Sequence, residues 1–123
     1  MKTNPVNWFE IPVNDIERAK NFYESVFDVE LSMLSMGPMQ MFQFPMVDDT
    51  YGSAGTLVQA EGYKPSHDGT LIYFSVGDID GILGKVIASG GKTILPKMSI
   101  AEYGFVAHFE DSEGNKVALH SMT

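Results

Sequence analysis

One short pattern occurs twice in this chain, and its repetition constrains the fold more than any other feature. Val-x-Asp-Ile begins at Val13 and begins again at Val76, 63 positions later. In both places a strand-like run precedes the pattern, and residues with the spacing of an amphipathic helix follow it. At this offset the apolar residues of the two halves stay in phase through strand, helix and next strand. The sequence therefore predicts two copies of one supersecondary unit.

Each copy contains one predicted helix and four predicted strands. The first helix begins after Asn14 or Asp15, and with Asn14 as the cap Glu17 completes a capping-box spacing. The strands of the first copy are predicted within residues 7–13, 29–36, 39–46 and 53–60. Asp78 begins the second helix. The strands of the second copy are predicted within residues 70–76, 92–98, 103–110 and 116–122.

Each predicted helix has one apolar stripe that would face a core. The stripe of the first helix is Ile16, Ala19, Tyr23, Val26 and Phe27. The stripe of the second helix is Ile79, Ile82, Leu83, Val86 and Ile87. Gly90 and Gly91 are expected to end the second helix. Pro12 has no N–H to donate, so it should lie on an edge strand or near the end of a strand.

These elements predict an α+β fold in one domain of 123 residues. A four-stranded sheet with one helix on one face leaves its other face bare. Two such sheets can wrap their bare faces around a cleft that could hold a ligand. We therefore expect two βαβββ modules, at about residues 5–60 and 68–122, that form a curved eight-stranded mixed sheet around a cleft, with the helices outside.

Composition limits the compartment and the partners. The chain has no cysteine, which excludes disulfides and thiolate chemistry and fits a cytoplasmic location. No apolar run approaches the roughly 20 residues of a membrane-spanning helix, so no membrane partner is expected. The net charge of −8 would repel phosphates and disfavours nucleic acid, although its simplest role is solubility. A small organic molecule is the expected ligand, and a cationic one would be mildly attracted.

The order of the elements and two motifs resemble a known superfamily. The motifs are VxDI...A..FY..VF, from Val13 to Phe27, and FEDSEGNKV, from Phe109 to Val117. Both are similar to motifs of the vicinal oxygen chelate superfamily, also called the glyoxalase/bleomycin-resistance/dioxygenase family. The resemblance covers nearly the whole chain and is strongest to small, uncharacterised single-domain members. It implies the paired-module fold and a homodimer.

The resemblance also implies a divalent metal held by His, Glu or Gln, with one ligand from each of four cleft strands. Carried over by motif, three of these places are Trp8, Leu71 and Ala118, and the fourth lies on the strand around Thr56. The first three side chains cannot bind a hard or borderline cation, and only Gln59 could do so near the fourth. We therefore expect no cofactor, as in the metal-free branch of the superfamily, although these residues alone do not exclude a divalent metal.

Strand alternation extends the candidate site beyond these places. If Trp8, Leu71 and Ala118 face the cleft, residues two positions away face it as well. The predicted ligand-binding residues are Trp8, Glu10, Met41, Leu71, Tyr73, Ser75, Ala118 and His120. Trp8 and Tyr73 could stack on a flat or cationic ligand, or they could fill the core. Five methionines could form an adaptable pocket wall, a loosely packed core or a dimer interface: Met33, Met36, Met39, Met41 and Met46.

Glu10 and His120 are the candidate catalytic residues. A carboxylate on a cleft strand can act as a general acid or base, and an imidazole can shuttle a proton. Together with His108, these two residues could form a displaced metal site. The alternative is structural: Glu10 pairs with Lys116, and His120 caps the frayed final strand.

Three functions fit these residues, and the sequence leaves open whether the protein is an enzyme. The leading hypothesis is metal-independent binding of a small organic molecule by a homodimer. The second is a metal-dependent lyase, isomerase or dioxygenase that uses the displaced site. The third is a drug-sequestering or effector-sensing module, similar to the bleomycin-resistance proteins. The ligand cleft could close within one chain or across a dimer.

Overall fold

The computed structural model describes residues 1–123, and its elements follow the predicted order. Module 1 contains β1 (Phe9–Pro12), α1 (Ile16–Phe27), β2 (Ser32–Met36), β3 (Met39–Gln43) and β4 (Gly55–Gln59). Module 2 contains β5 (Tyr73–Ser75), α2 (Ile79–Ala88), β6 (Lys92–Ser99), β7 (Phe105–Glu110) and β8 (Lys116–Ser121). A short 3₁₀ turn at Ala101–Tyr103 was not predicted. None of the helices has the length and apolar character needed to cross a membrane.

The eight strands form two mixed sheets with the same topology. The strand orders are β1-β4-β3-β2 and β5-β8-β7-β6, and the first pair of each sheet is parallel. The predicted α+β fold of two βαβββ modules is therefore confirmed. The two sheets remain separate and are not closed into one, because no backbone hydrogen bond joins the free edges of β1 and β5.

Both helices begin where the repeated pattern predicts. The side chain of Asp15 accepts a hydrogen bond from the Arg18 N–H, and the side chain of Asp78 accepts one from the Gly81 N–H. Asp15, rather than Asn14, is therefore the first cap. Pro12 is the last residue of β1, which is an edge strand, as predicted.

The two helices share one core of 18 buried side chains drawn from both modules. The buried residues of the helices are Ile16, Ala19, Phe22, Tyr23 and Val26 on α1, and Ile79, Leu83 and Val86 on α2. Two details of the predicted stripes are wrong. Phe22 is buried because α1 also faces module 2, where its ring lies 6.2 Å from that of Phe109. Ile87 is 62% exposed, because the core covers only a narrow stripe of α2.

Gly91, just after α2, packs directly against β7. A Cβ at this position would lie 2.5 Å from the carbonyl oxygen of Glu110 and 2.7 Å from Val86 Cγ1. Because the backbone would have to shift, Gly91→Ala is expected to lower the free energy of unfolding by about 2 kcal/mol. The matched control is Gly84→Ala within α2, where nothing lies within 4 Å and a gain of about 0.5–1 kcal/mol is expected. Urea unfolding measures the free energy of unfolding of both variants. An unchanged stability of Gly91→Ala would contradict the close packing of Gly91, just after α2, on β7.

Candidate functional site

Aromatic rings from both modules meet beside β5. Phe74 lies at the centre, with its ring centroid 4.6 Å from Phe27, 5.5 Å from Phe44, 5.6 Å from Phe9 and 6.2 Å from Tyr23. These four partners all belong to module 1. Ring pairs at such distances stabilise a packed cluster beyond the burial of their area. The cluster therefore holds the modules together, and the rings on its exposed side can form the floor of a cavity.

A buried carboxylate joins the modules on another side. Glu113, in the β7–β8 loop, accepts hydrogen bonds from the backbone N–H groups of Asn14 and Asp15 at 3.0 and 2.8 Å. The Arg18 guanidinium donates two more, at 2.8 and 3.0 Å. Burial alone would raise the pKa of Glu113, but these hydrogen bonds, led by that of Arg18, hold the pKa below its ordinary value. The start of α1 is therefore held by an ionised group of module 2.

Asp111 extends this network into the core. Its carboxylate accepts a hydrogen bond from the Tyr23 hydroxyl at 2.6 Å and one from the Asn115 side-chain amide at 3.0 Å. The same amide of Asn115 donates to the Pro12 carbonyl oxygen at 2.8 Å. Burial, together with the charge of Asp111, raises the pKa of Tyr23 well above its ordinary value. The DSEGN segment, which the sequence indicated only as a hairpin, is thus also the docking element between modules.

A groove of about 950 Å³, the junction groove, is lined by residues of both β1 and β5. Fourteen of its 21 lining residues are hydrophobic, so a ligand would make mostly apolar contacts there. Its aromatic residues are Trp8, Phe9, Phe27, Phe44, Tyr51, Tyr73 and Phe74. The predicted ligand-binding residues that line it are Trp8, Glu10, Leu71, Tyr73 and Ser75. The structure therefore brings five of the eight predicted residues together in one cavity.

A second hollow, of about 540 Å³, lies on the sheet of module 2. His108 and His120 both line it, and Tyr73 and Ser75 line it as well as the junction groove. Burial, with a smaller contribution from the charge of Lys116, lowers the pKa of His108. His120 Nε2 lies 2.6 Å from the carbonyl oxygen of Tyr103 and binds the turn before β7.

Glu10 lies in the junction groove and not in the hollow with the histidines. Its Oε1 accepts a hydrogen bond from the Tyr63 hydroxyl at 3.0 Å, so the expected ion pair with Lys116 does not form. No three His, Cys, Asp or Glu side chains are placed so that they could hold a metal ion. The displaced metal site predicted from Glu10, His108 and His120 is therefore not assembled, because these residues line different cavities.

The places where the resemblance implies metal ligands do not fit a divalent cation. Trp8 and Leu71 line the junction groove, and Ala118 is fully buried on β8. Thr56 on β4 is also fully buried, and its Oγ1 has no hydrogen-bond partner. One indole, two aliphatic side chains and one neutral hydroxyl offer no ligand set for such an ion. Met41, predicted to bind ligand, is 4% exposed within β3 and does not line the groove.

The segment 45–54 forms a wall of the groove that sequence reasoning missed. Its lining residues are Pro45, Tyr51, Gly52, Ser53 and Ala54. The sequence predicted a loop only at residues 47–52 and assigned Pro45, Ser53 and Ala54 to the ends of predicted strands. The segment reaches the groove because it leads into β4, where Gly55 lies opposite Phe9 of β1. This parallel pairing is a long-range contact that local composition does not encode.

A comparison with protein families identifies the superfamily. The family model described as Glyoxalase/Bleomycin resistance protein/Dioxygenase superfamily matches residues 6–119. This chain belongs to that superfamily. The family resemblance inferred from the two motifs is therefore confirmed.

Individual relatives of this superfamily member are distant. A glyoxylase-like domain-containing protein from Didymella fabae is 27% identical over 118 residues, covering 93% of this chain and 91% of the relative. TnmS3, an antibiotic binding protein from Streptomyces sp. CB03234, has a TM-score of 0.72 and 24% identity, with coverage of 100% and 99%. A glyoxalase I mutant from Zea mays has a TM-score of 0.69 and 18% identity, and this chain spans 46% of its length. These structures share the fold.

Proposed function

We propose that this superfamily member is a homodimeric protein that binds a small organic molecule in the junction groove without a metal ion. The observation that carries the proposal is the meeting of five predicted ligand-binding residues in one mostly apolar cavity. Its volume lies within the range of about 300–1,000 Å³ that is usual for small-molecule sites. Trp8 and Tyr73 offer ring faces to a ligand, and Glu10 and Ser75 offer polar atoms that would orient it.

One observation supports binding without a metal ion, and a second supports a role in small-molecule binding. The indole of Trp8 and the aliphatic side chain of Leu71 stand where the superfamily pattern places metal ligands, and both line the groove. These positions would therefore contact the ligand directly with apolar surface. The structural likeness to TnmS3, whose name describes an antibiotic binding protein, agrees with a role in small-molecule binding.

The proposed homodimer rests on exposed apolar side chains at the free edges of both sheets. Met33 and Met36 lie on β2, and Ile94 and Met98 lie on β6, all at least 41% exposed. Unpaired edge strands with apolar side chains favour contact with another chain. Light scattering after size exclusion tests this, with a mass of twice 13.6 kDa expected and a monomer contradicting it. A cytoplasmic location without membrane or nucleic-acid partners, inferred from composition, belongs to the same proposal.

Trp8→Ala is expected to weaken the binding of aromatic ligands about tenfold or more, because it removes the largest ring of the groove wall. Ligands are found by a thermal-shift screen of small aromatic compounds, and affinities are then measured by calorimetry. The matched control is Ile87→Ala, which removes an apolar side chain of α2 that is 62% exposed, lies outside the groove and is not on the strand edges of the proposed dimer. Equal affinities of both variants and the wild type would place the ligand elsewhere. Stoichiometric divalent metal in the purified protein would count against the metal-free part of the proposal.

Drug sequestration is a second candidate, and the likeness to an antibiotic binding protein favours it. It would use the same groove, so the two candidates differ in biological role. Titration with a basic glycopeptide antibiotic, followed by the fluorescence of Trp8, tests this role. Trp8 is the single tryptophan, so a change in emission reports on the groove itself. Unchanged emission at saturating antibiotic would exclude that drug class.

A further inference from the structure

The charged residues that line the junction groove and the cavity beside segment 45–54 are all acidic. Glu10 is the only Asp, Glu, Lys, Arg or His residue among the lining residues. The cavity on the other side of segment 45–54 is lined by Asp48 and Asp49 and by no basic residue. The whole chain has a net charge of −8, so no distant excess of basic residues offsets these carboxylates. A ligand in the groove therefore lies in a negative potential.

The carboxylate of Glu10 can accept a further hydrogen bond. Its Oε1 accepts the Tyr63 hydroxyl, whereas its Oε2 has no hydrogen-bond partner. Lys64 and Lys116 line a neighbouring cleft that also reaches Glu10, but neither lies within 4.0 Å of its carboxylate. The carboxylate is therefore not neutralised by an ion pair. The ammonium group of a ligand could form this ion pair and donate a hydrogen bond to Oε2.

The rings of the groove add to the same preference. Trp8, just before β1, and Tyr73, on β5, line the groove together with Glu10, and Tyr73 is 49% exposed. The faces of such rings carry partial negative charge, which attracts a cation and repels an anion. The same faces stack on planar apolar groups, which suits an aromatic ligand.

We propose that the junction groove selects protonated aromatic amines, with the ring system among the aromatic side chains and the ammonium group on Glu10. This inference rests on the proposed function of the groove. It goes beyond that function, because an apolar groove alone would accept neutral, cationic and anionic aromatic compounds alike. A carboxylate ligand of the same shape meets Glu10 and the ring faces with unfavourable charge, and no side chain in the groove compensates.

The test compares three compounds that share the 2-naphthylmethyl group and carry a positive, a neutral or a negative group on it: 2-naphthylmethylamine, 2-naphthylmethanol and the carboxylate of 2-naphthaleneacetic acid. Binding at pH 7 is followed by the indole N–H signal of Trp8 in ¹H–¹⁵N spectra, which is unique because the chain has one tryptophan. We expect the amine to bind most tightly and the carboxylate least, with about a tenfold difference between them. Glu10→Gln is expected to remove most of this difference and to leave the affinity for the alcohol within about twofold. Added salt should reduce the difference in the wild type.

The control variant is Glu17→Gln, which removes an exposed charge of α1 outside the groove and should leave the tenfold difference intact. Equal affinities of amine and carboxylate for the wild type would overturn the inference and leave the proposed function standing. A preference for the amine over the carboxylate that persists in Glu10→Gln, or that is lost in Glu17→Gln, would also overturn the inference. If none of the three compounds shifts the indole signal, both the inference and aromatic binding in the groove are wrong.

Discussion

Phe74→Ala is expected to lower the free energy of unfolding by about 3–4 kcal/mol. The Phe74 ring contacts four rings of module 1, so its removal leaves a cavity where the modules meet. The surrounding rings belong to α1, to β1 and to the residue just after β3, and they cannot all collapse into that space at once. The same change also removes part of the groove floor, so affinity for aromatic ligands should fall in the fraction that remains folded.

Urea unfolding followed by circular dichroism and by Trp8 fluorescence measures this effect. The control is Tyr103→Ala, which removes a ring that is 68% exposed and should cost less than about 0.5 kcal/mol. If Phe74→Ala is as stable as this control, the ring cluster does not hold the modules together. The two probes should give coincident transitions in the wild type, since both modules share one core.

Glu113→Ala is expected to lower the free energy of unfolding by about 3 kcal/mol or more at pH 7. The change leaves the N–H groups of Asn14 and Asp15 without their partner and leaves Arg18 without its ion pair. Glu113→Gln keeps the shape and one acceptor oxygen, so a smaller loss of about 1–2 kcal/mol is expected. The control is Glu17→Ala, which removes an exposed carboxylate near the same end of α1 and should lower the free energy of unfolding by less than about 0.5 kcal/mol.

The same residue predicts a pH dependence. The pKa of Glu113 is lower in the folded state than the ordinary value of 4.5, so its stabilising effect is complete above that value. The effect is lost as the pH falls through the lower, folded-state pKa, because protonation weakens the hydrogen bonds that Glu113 accepts. The difference in free energy of unfolding between wild type and Glu113→Ala should therefore narrow as the pH falls below 4.5. A difference that stays constant over this range would contradict the assignment of the lowered pKa.

Local signals in the sequence predicted the elements well. Asp15 and Asp78 cap helices because a cap depends on residues within one turn, and the doubled pattern marked both. These local signals could not predict how the two modules pack against each other. Glu113 reaches the start of α1 from almost the opposite end of the chain, and Phe22 packs against Phe109 of the other module. These contacts depend on how two modules pack, which a repeat pattern does not specify.

The sequence predicted only part of the candidate site, because strand alternation is a local signal as well. Alternation grouped Trp8, Glu10 and Tyr73, and all three line one groove, with Glu10 on β1, Tyr73 on β5 and Trp8 just before β1. It gives the face of a sheet, but it does not give the cavities on that face. His120 therefore lines the hollow of module 2 instead of the groove, and Met41 lies buried within β3.

The most direct test of metal-free binding in the junction groove is a calorimetric titration of 2-naphthylmethylamine into the protein with excess EDTA present. We predict saturable binding with one site per chain and a dissociation constant equal to that measured without EDTA. Trp8→Ala should weaken this binding about tenfold or more, and Ile87→Ala should leave it unchanged. Binding that disappears in EDTA and returns when a divalent metal is restored would contradict the account.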